Sequence, residues 1–369
     1  MLTLPDYPWD TLAPYRKLAA EHPDGVVDLS IGTPVDPTPE VIQEALRAAS
    51  DAHGYPGTHG TPELREAIAQ WYVRRRRTTD LQPQDILPTI GSKELVAWLP
   101  LFLGLKPGDI MVRPLVAYPT YDIGALLVGA ESIAADSLED LTAEQRSRVK
   151  LVWTNSPGNP TGKVMDVAAM RALVDDARSL GAVVAGDECY AELGWGDWEE
   201  HVPGILEPEV SGGDLTNLLS VYSLSKQSNL AGYRASFVAG APNLMPALIN
   251  SRKHTGMIMP YPVQEALRVA IADDAHVHAQ KDRYRARREA LKPALEAFGF
   301  DVHFSNAGLY LWCTAGKDSW TSIQDLAELG IIAGPGVFYG EAGEGFVRVS
   351  LTASDERIAS AVSRLTKRN

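Results

Sequence analysis

A strand-helix-strand pattern in the middle of the chain constrains its fold more than any other feature. Residues 151–154 form a short apolar run, and residues 182–185 form a second one. Between them, apolar residues recur every three or four positions until Gly181, as in a helix that ends at a glycine. Because strands that are buried on both faces have such continuous apolar sequences, the pattern predicts a parallel sheet covered by helices.

The length of 369 residues exceeds that of one ordinary domain. The α/β pattern extends upstream and downstream of this unit, but its character changes near residue 270. A long basic helix and two strand-like runs follow there. We therefore expect a large, mainly parallel α/β domain over residues 45–269. A smaller α+β domain would combine residues 1–44 and 270–369.

The charge of the chain argues against two classes of partner. It has 34 basic and 47 acidic residues, which gives a formal net charge of −13. So acidic a surface repels nucleic acid and anionic membranes, and we expect neither as a partner. The basic run at residues 74–77 follows a helical pattern, and we interpret it as the solvated end of that helix.

The cysteine, histidine and terminal patterns indicate a cytoplasmic protein without a structural metal. Cys189 and Cys313 have no metal-binding spacing and form no disulfide framework, and the eight histidines form no ligand set. The N-terminal residues lack the pattern of a secretory signal, and no apolar run is long enough to span a membrane.

A lysine follows the predicted strand at residues 218–222. Lys226 is flanked by hydroxyl groups and is followed eight residues later by Arg234. An amine in a partly desolvated, cation-rich pocket has a lowered pKa, and only the neutral amine attacks an aldehyde. Lys226 therefore suits a Schiff base beside an anion site, although this segment alone is equally typical of a surface lysine in a polar loop.

Three other segments place polar groups at strand ends or at a helix start, where α/β sheets bind ligands. Asp187 follows the second strand, where a carboxylate can keep a pyridine nitrogen protonated. The asparagines of residues 155–162 can donate to a phenolate oxygen, and Ser92 opens a helix whose N-terminus suits a phosphate. Taken alone, each segment has a structural alternative. Asp187 could be a capping residue, residues 155–162 a tight turn and Ser92 an N-cap.

In this order, the segments resemble the fold-type I pyridoxal-phosphate enzymes, specifically the class I/II aminotransferases, over nearly the whole chain. The resemblance implies pyridoxal 5′-phosphate as the cofactor and three catalytic residues. Lys226 would bond to the cofactor and transfer the proton between substrate Cα and cofactor C4′. Asp187 would pair with the ring nitrogen, and Tyr190 and Asn159 would donate to the 3′ oxygen.

The same resemblance implies the rest of the cofactor and substrate contacts. Tyr118 would stack on the cofactor ring, with ordinary packing as the alternative. Arg348 would bind the substrate α-carboxylate through both prongs of its guanidinium, together with Gly32 and Asn159. The groups that would bind the phosphate are the Lys93 backbone amide and the side chains of Ser92, Ser223, Ser225 and Arg234.

Tyr55 is similar to a tyrosine that, in this family, reaches the phosphate of the neighbouring subunit. The resemblance therefore implies a homodimer with shared active sites. It also implies an amino acid and a 2-oxo acid as the small-molecule substrates.

Within the family, three stretches resemble the actinobacterial N-succinyldiaminopimelate aminotransferases: residues 28–37, 87–100 and 225–234. This implies amino transfer between glutamate/2-oxoglutarate and N-succinyl-LL-diaminopimelate/N-succinyl-2-amino-6-ketopimelate in lysine biosynthesis. The alternatives are a carbon-sulfur β-lyase of the same fold and an aminotransferase for another amino acid. A non-enzymatic cofactor-binding protein is disfavoured by the intact set of Lys226, Asp187 and Tyr190.

Overall fold

The computed structural model describes residues 4–367, so residues 1–3 and 368–369 of the expected small domain lie outside the described residues. The strands are β1 (Val27–Asp28), β2 (Ile86–Ile90), β3 (Ile110–Arg113), β4 (Glu131–Ala134), β5 (Val149–Asn155), β6 (Val183–Asp187), β7 (Leu218–Ser223), β8 (Ala235–Gly240), β9 (Asp301–His303), β10 (Tyr310–Thr314), β11 (Ile331–Ile332), β12 (Gly334–Pro335) and β13 (Val347–Ser350). The α-helices are α1 (Ala13–Ala19), α2 (Glu40–Ala48), α3 (Pro62–Arg76), α4 (Ser92–Phe102), α5 (Thr120–Val128), α6 (Ala143–Arg148), α7 (Val167–Ser179), α8 (Pro208–Ser211), α9 (Met245–Thr255), α10 (Tyr261–Ala272), α11 (Asp274–Phe298), α12 (Ser319–Glu328) and α13 (Asp355–Thr366).

A seven-stranded sheet with the order β2-β8-β7-β6-β5-β3-β4 forms the larger layer. Strands β3 to β7 pair in parallel, as the sequence pattern predicts, whereas β8 is antiparallel to both β7 and β2. The connection from β7 to β8 is residues 224–234, which is too short to hold a crossover helix. The chain therefore reverses there, and the reversal is the loop that carries Lys226.

The predicted strand-helix-strand unit is confirmed as β5, α7 and β6. The Asp166 side chain accepts a hydrogen bond from the Ala169 amide at 2.8 Å and caps the start of α7. Asn155 is in register with Asp187 at the carboxyl ends of β5 and β6. Because β7 runs parallel to β6, its end with Ser223 lies at the same edge of the sheet.

Alternating residues of the central strands face two separate apolar cores. Val152 and Val184 pack in one core, while Leu151 and Ala185 pack in the other on the opposite face. Helices therefore cover both faces of the sheet, and side chains buried on both sides explain the continuous apolar runs.

A smaller antiparallel sheet has the order β12-β13-β10-β9, and it has its own core with α11, α12 and α13. The N-terminal segment joins this part of the molecule, because β1 pairs in parallel with β11. This arrangement agrees with a small domain built from both chain ends, while the boundaries at residues 45 and 269 stay a prediction.

The interpretation of residues 74–77 as a solvated helix end is wrong for Arg76, whereas Arg74 and Arg77 are exposed and Arg75 is half-buried. Arg76 is 2% exposed and donates to Glu188 Oε2 at 3.0 Å. Arg74 and Arg75 form ion pairs with Asp274 and Glu192. Since these acidic partners are 112 or more residues away in sequence, a helical pattern alone does not reveal them.

Candidate active site

A cavity of about 290 Å³ lies where the ends of β5, β6 and β7 meet the small domain. It brings together every predicted site residue except Tyr55. The predicted residues that line it are Gly32, Ser92, Lys93, Tyr118, Asn159, Asp187, Tyr190, Ser223, Ser225, Lys226, Arg234 and Arg348.

Lys226 points its amine into this cavity from the loop after β7. The Nζ donates a hydrogen bond to the carbonyl oxygen of Gly32, in the N-terminal segment. Burial lowers the pKa of the Lys226 amine, and Arg348 and Arg234 lower it further. The environment therefore favours the neutral amine, which is the nucleophilic form.

Asp187 presents a buried carboxylate to the same cavity from the end of β6. The Tyr121 hydroxyl donates to Asp187 Oδ2 at 2.9 Å, and the Cys189 amide donates to Oδ1 at 3.3 Å. Burial raises the pKa of Asp187, so a cationic partner in the cavity would stabilise its charged form. The sequence analysis did not single out Tyr121, which lies in α5 three residues after Tyr118.

Arg348, on β13, is a buried cation with neutral partners. It is 3% exposed, and it donates to Asn159 Oδ1 at 2.9 Å and to the Ser30 carbonyl at 2.7 Å. Within residues 4–367 no carboxylate lies within ion-pair distance of Arg348, and its Nε has no hydrogen-bond partner. Because an arginine cannot lose its charge, this guanidinium fits an incoming carboxylate.

Two tyrosines complete the surroundings of Arg348 and Lys226. The ring of Tyr310 lies 4.0 Å from the Arg348 guanidinium carbon, and its hydroxyl is 3.3 Å from that of Tyr190. Burial raises the pKa of Tyr190 well above its usual value, so its phenol keeps the proton and can donate it. Burial would also raise the pKa of Tyr310, but the nearby Arg348 and Lys226 hold it below its usual value. Sequence reasoning read Tyr310 only as part of a strand.

A second cluster at the start of α4 fits a phosphate. The Ser92 hydroxyl and the unpaired amides of the first turn lie beside Arg234, Ser223 and Ser225, all of which line the cavity. The Ser223 and Ser225 hydroxyls are 2.8 Å apart. Gly91 has φ +96°, and a Cβ on it would stand 2.0 Å from Arg234 Nη2. Only a glycine therefore lets the arginine approach this helix terminus.

The mouth of the cavity is aromatic and carries one more cation. Lys93 Nζ lies 5.7 Å from the ring centre of Tyr7 and 5.8 Å from that of Tyr118. Trp9 also lines the cavity, and its buried indole nitrogen has no hydrogen-bond partner. Sequence reasoning missed Tyr7 and Trp9, which carry no motif.

Tyr55 stands apart from the other predicted residues. Its side chain is fully exposed, at 104% of the reference value, and it does not line the cavity. Its proposed contact with a neighbouring subunit stays a prediction.

The sequence of the chain matches one family over most of its length. The family model described as aminotransferase class I and II covers residues 24–365. The chain is a class I/II aminotransferase. The aminotransferase has the fold-type I architecture of that family and depends on pyridoxal phosphate, so the predictions of family, fold class, enzyme class and cofactor are confirmed.

Individual relatives agree with this assignment. The aminotransferase is 52% identical to the 4-dedimethylamino-4-oxo-anhydrotetracycline transaminase of Streptomyces rimosus, over 99% of this chain and 100% of the relative. It is 33% identical to the LL-diaminopimelate aminotransferase of Aquifex aeolicus, over 98% of this chain and 96% of the relative. A solved aminotransferase structure from Neisseria meningitidis superposes with a TM-score of 0.88 at 33% identity, covering 98% of this chain and 96% of that one.

Among the described residues, no helix is long and apolar enough to cross a bilayer. The same residues contain no group of three or more His, Cys, Asp or Glu side chains arranged to hold a metal ion.

Proposed function

We propose that the aminotransferase moves an amino group between glutamate/2-oxoglutarate and N-succinyl-LL-diaminopimelate/N-succinyl-2-amino-6-ketopimelate. The observation that carries the proposal is the pair of cations in one cavity, Arg348 and Lys93, beyond the arginine of the phosphate cluster. A substrate with an α-carboxylate and a distal carboxylate needs two such groups. The A. aeolicus relative, which is named for the related LL-diaminopimelate, supports this choice of carbon skeleton.

The residues present suit the cofactor. Arg234, the serine hydroxyls and the start of α4 would hold its phosphate, and Asp187 would hold a proton on its ring nitrogen. Tyr190 and the Asn159 amide nitrogen would donate to its 3′ oxygen, since Asn159 Oδ1 already accepts from Arg348. When bound, pyridoxal phosphate supplies an aldehyde that bonds to amines and a ring that delocalises the electron pair left at the substrate Cα.

In this mechanism the side chains of the chain bind, orient and move protons. Arg348 would fix the substrate α-carboxylate, and the Gly32 carbonyl would orient the Lys226 amine. Lys226, whose pKa is lowered by burial, would take the proton from the substrate Cα and return it to C4′ of the cofactor. Proton transfer by a positioned base contributes about 10²–10⁴-fold to a rate. In the second half of the cycle the 2-oxo acid acceptor reverses these transfers.

A second candidate substrate is a polycyclic ketone. The S. rimosus relative, which is matched over its whole length, is named for such a ketone. The aromatic groups Tyr7, Trp9 and Tyr118 at the cavity mouth favour a flat ring system. With a polycyclic ketone, stacking on these aromatic side chains would take the place of binding a distal carboxylate. Lys93 would then have no ionic partner.

The homodimer with shared active sites and the cytoplasmic location stay predictions. The exposed Tyr55 supports the first, because a fully exposed side chain is available to a neighbouring subunit. Amino acid and 2-oxo acid substrates follow from the family itself.

The experiment that tests the substrate is a panel of acceptors offered to the enzyme after it has reacted with glutamate. We expect the succinylated keto acid to restore the original cofactor absorbance fastest, ahead of pyruvate and a polycyclic ketone. Faster recovery with the polycyclic ketone would support the second candidate. Release of an eliminated thiol from a cysteine-type substrate, without amino transfer, would support the β-lyase alternative.

Lys93→Gln sharpens this test. Loss of one charge-assisted hydrogen bond, about 1.5–3 kcal/mol, predicts a KM for the succinylated acceptor that is about 10–100-fold higher. The KM for pyruvate, which has no distal carboxylate, is expected to stay the same. Lys253→Gln, an exposed position on α9, is the matched control. An equal rise in both KM values for Lys93→Gln would contradict a distal carboxylate site at this lysine.

A further inference from the structure

Three side chains of α11 contact the loop that carries Lys226. His276, Gln280 and Tyr284 follow one another at intervals of four residues, so they lie on one face of the helix. A hydrogen bond of 2.8 Å joins His276 Nε2 and Ser228 Oγ. The Tyr284 hydroxyl donates to the Lys226 carbonyl at 3.3 Å. One helix face therefore holds the loop at Lys226 itself and at Ser228 and Asn229 after it.

Gln280 is the central residue of this face, and it binds in two directions. Its Oε1 accepts from Asn229 Nδ2 at 2.9 Å, and its Nε2 donates to Asp36 Oδ2 at 2.8 Å. Arg283 Nη1 also approaches the Oε1, at 3.4 Å. Since a carboxylate only accepts hydrogen bonds, the amide nitrogen must face Asp36, which leaves the oxygen for Asn229. Gln280 is 3% exposed, so water does not compete for these partners.

Asp36 belongs to the N-terminal segment that forms one wall of the active site. Arg287, one turn after Tyr284, binds both oxygens of Asp36 at 2.6 and 2.8 Å. The same segment supplies the carbonyl oxygens of Ser30, for Arg348, and of Gly32, for Lys226. The position of residues 30–38 therefore fixes partners of both the lysine and the carboxylate-binding arginine.

Contacts with other segments stabilise the conformation of the loop that carries Lys226. Asn229 has φ +55°, a left-handed conformation that costs energy for a residue with a side chain. Its carbonyl accepts from Thr38 Oγ1 at 3.1 Å, and its Nδ2 lies 3.3 Å from the Pro37 carbonyl. The loop and the N-terminal segment thus meet directly, and Gln280 bridges them a second time from α11.

We propose that Gln280 is a positioning residue that holds the Lys226 loop in register with residues 30–38. Within residues 4–367, its amide is the one side-chain group that forms hydrogen bonds with both Asn229 in the loop and Asp36 in the segment. Through them it sets the distance between the Lys226 amine and the Gly32 and Ser30 carbonyls. The consequence for catalysis rests on Lys226 being the reacting amine, as proposed above, whereas the coupling of the two segments does not.

Hydrogen-deuterium exchange of the Gln280→Leu enzyme tests the coupling directly. Leucine has a similar size but forms neither hydrogen bond. Loss of a buried bond of about 1.4 kcal/mol predicts about tenfold faster exchange in peptides covering both residues 30–38 and residues 226–230. Gln280→Asn, whose shorter amide cannot reach both partners, is expected to have the same effect and serves if the leucine variant folds poorly.

Leu295→Ala is the matched control, because Leu295 is a buried residue of the same helix in the core of the small domain. Leu295→Ala is expected to lower the free energy of unfolding without accelerating exchange in both peptides, residues 30–38 and residues 226–230. Unchanged exchange in Gln280→Leu, faster exchange in only one of the two peptides, or the same pattern in Leu295→Ala would overturn the proposal.

A second readout links the coupling to the lysine. In the cofactor-loaded Gln280→Leu enzyme, the pH at which the change in cofactor absorbance is half complete is expected to shift. The kcat/KM is expected to fall about tenfold, both for glutamate and for the 2-oxo acid acceptor. In Leu295→Ala the midpoint is expected to stay in place. An unshifted midpoint in Gln280→Leu would overturn the link to Lys226. If no substrate of the panel reacted, the exchange result would still stand, so failure of the proposed function is distinguishable from failure of this proposal.

Discussion

Burial has opposite consequences for Lys226 and Arg348, the two cations that share the inner part of the cavity. A buried lysine can release its proton and become neutral, and the pKa of Lys226 is lowered accordingly. A buried arginine keeps its charge, and the partners of Arg348 within residues 4–367 are neutral oxygens, so it suits an incoming anion. Burial therefore suits Lys226 to the proposed role of nucleophile and base, and Arg348 to the proposed role of carboxylate site.

The lowered pKa of Lys226 determines the pH at which its amine reacts. In the cofactor-free enzyme, labelling of Lys226 by an amine-specific reagent should rise with pH and reach half its maximum below 10.5, the ordinary pKa of lysine. Burial is the main cause, and Arg348 adds to it. Arg348→Met should therefore move the midpoint upward. A midpoint at or above 10.5, measured by mass spectrometry of the labelled peptide, would show that the amine is not desolvated.

The same depressed pKa has a consequence for stability. A lysine that is neutral in the folded state and charged in the unfolded state costs folding energy at low pH. The free energy of unfolding of the cofactor-free enzyme should therefore rise as pH increases from the lowered pKa of Lys226 towards 10.5. Lys226→Met should remove this rise and serves as the control.

At the scale of elements, the end of α3 is tied to the end of β6 by a buried ion pair. Arg76 Nη2 lies 3.0 Å from Glu188 Oε2, and Glu188 follows Asp187 directly. Arg76 Nη1 also donates to the Val202 carbonyl at 2.8 Å. The helix therefore supports the strand end that presents Asp187 to the cavity.

Removing Arg76 should be costly because it leaves a buried carboxylate without its partner. We expect Arg76→Met to lower the free energy of unfolding by about 3–5 kcal/mol, as measured by urea denaturation. The neighbouring Arg77→Asn should change it by less than about 1 kcal/mol, since Arg77 is exposed and its φ of +51° suits asparagine. Equal losses in the two variants would contradict the role assigned to the pair.

Local sequence patterns predict some of these elements but not the contacts between distant segments. The pattern of apolar residues predicts β5, α7 and β6, because apolar residues occupy the buried faces of each of these elements. It did not predict the burial of Arg76, whose partners lie far away in sequence. Strand β8 runs antiparallel to β7 because the loop between them is short. Its direction therefore follows from the length of the loop and not from the pattern of apolar residues. For the same reason Tyr310 and Gln280 went unrecognised, since their roles depend on contacts between distant segments.

At the scale of the whole molecule, the predicted homodimer makes each active site depend on two chains. Tyr55 is fully exposed in its own chain, and the resemblance assigns it to the partner's phosphate site. A Tyr55→Phe subunit is therefore expected to damage the site of its neighbour and to leave its own lysine intact. A Lys226→Ala subunit has the opposite defect.

Mixed dimers of these two variants test the sharing. Loss of the Tyr55 hydroxyl should weaken cofactor binding by about 10–100-fold, the loss of one charge-assisted hydrogen bond. At limiting cofactor, refolding the two variants together should give more activity than the sum of both alone, because each mixed dimer regains one intact site. A mixture no more active than Tyr55→Phe alone would contradict shared sites.

The most direct test of the whole account is one half of the reaction in the absence of an acceptor. When the loaded enzyme is mixed with glutamate, a single equivalent of 2-oxoglutarate should form per active site, and the cofactor absorbance should change at the same rate. Lys226→Ala should form the product at least about 10²-fold more slowly, since it lacks the positioned base. A wild-type enzyme that releases no 2-oxoglutarate, or a Lys226→Ala enzyme that releases it at the wild-type rate, would contradict the proposed substrate or the role of Lys226.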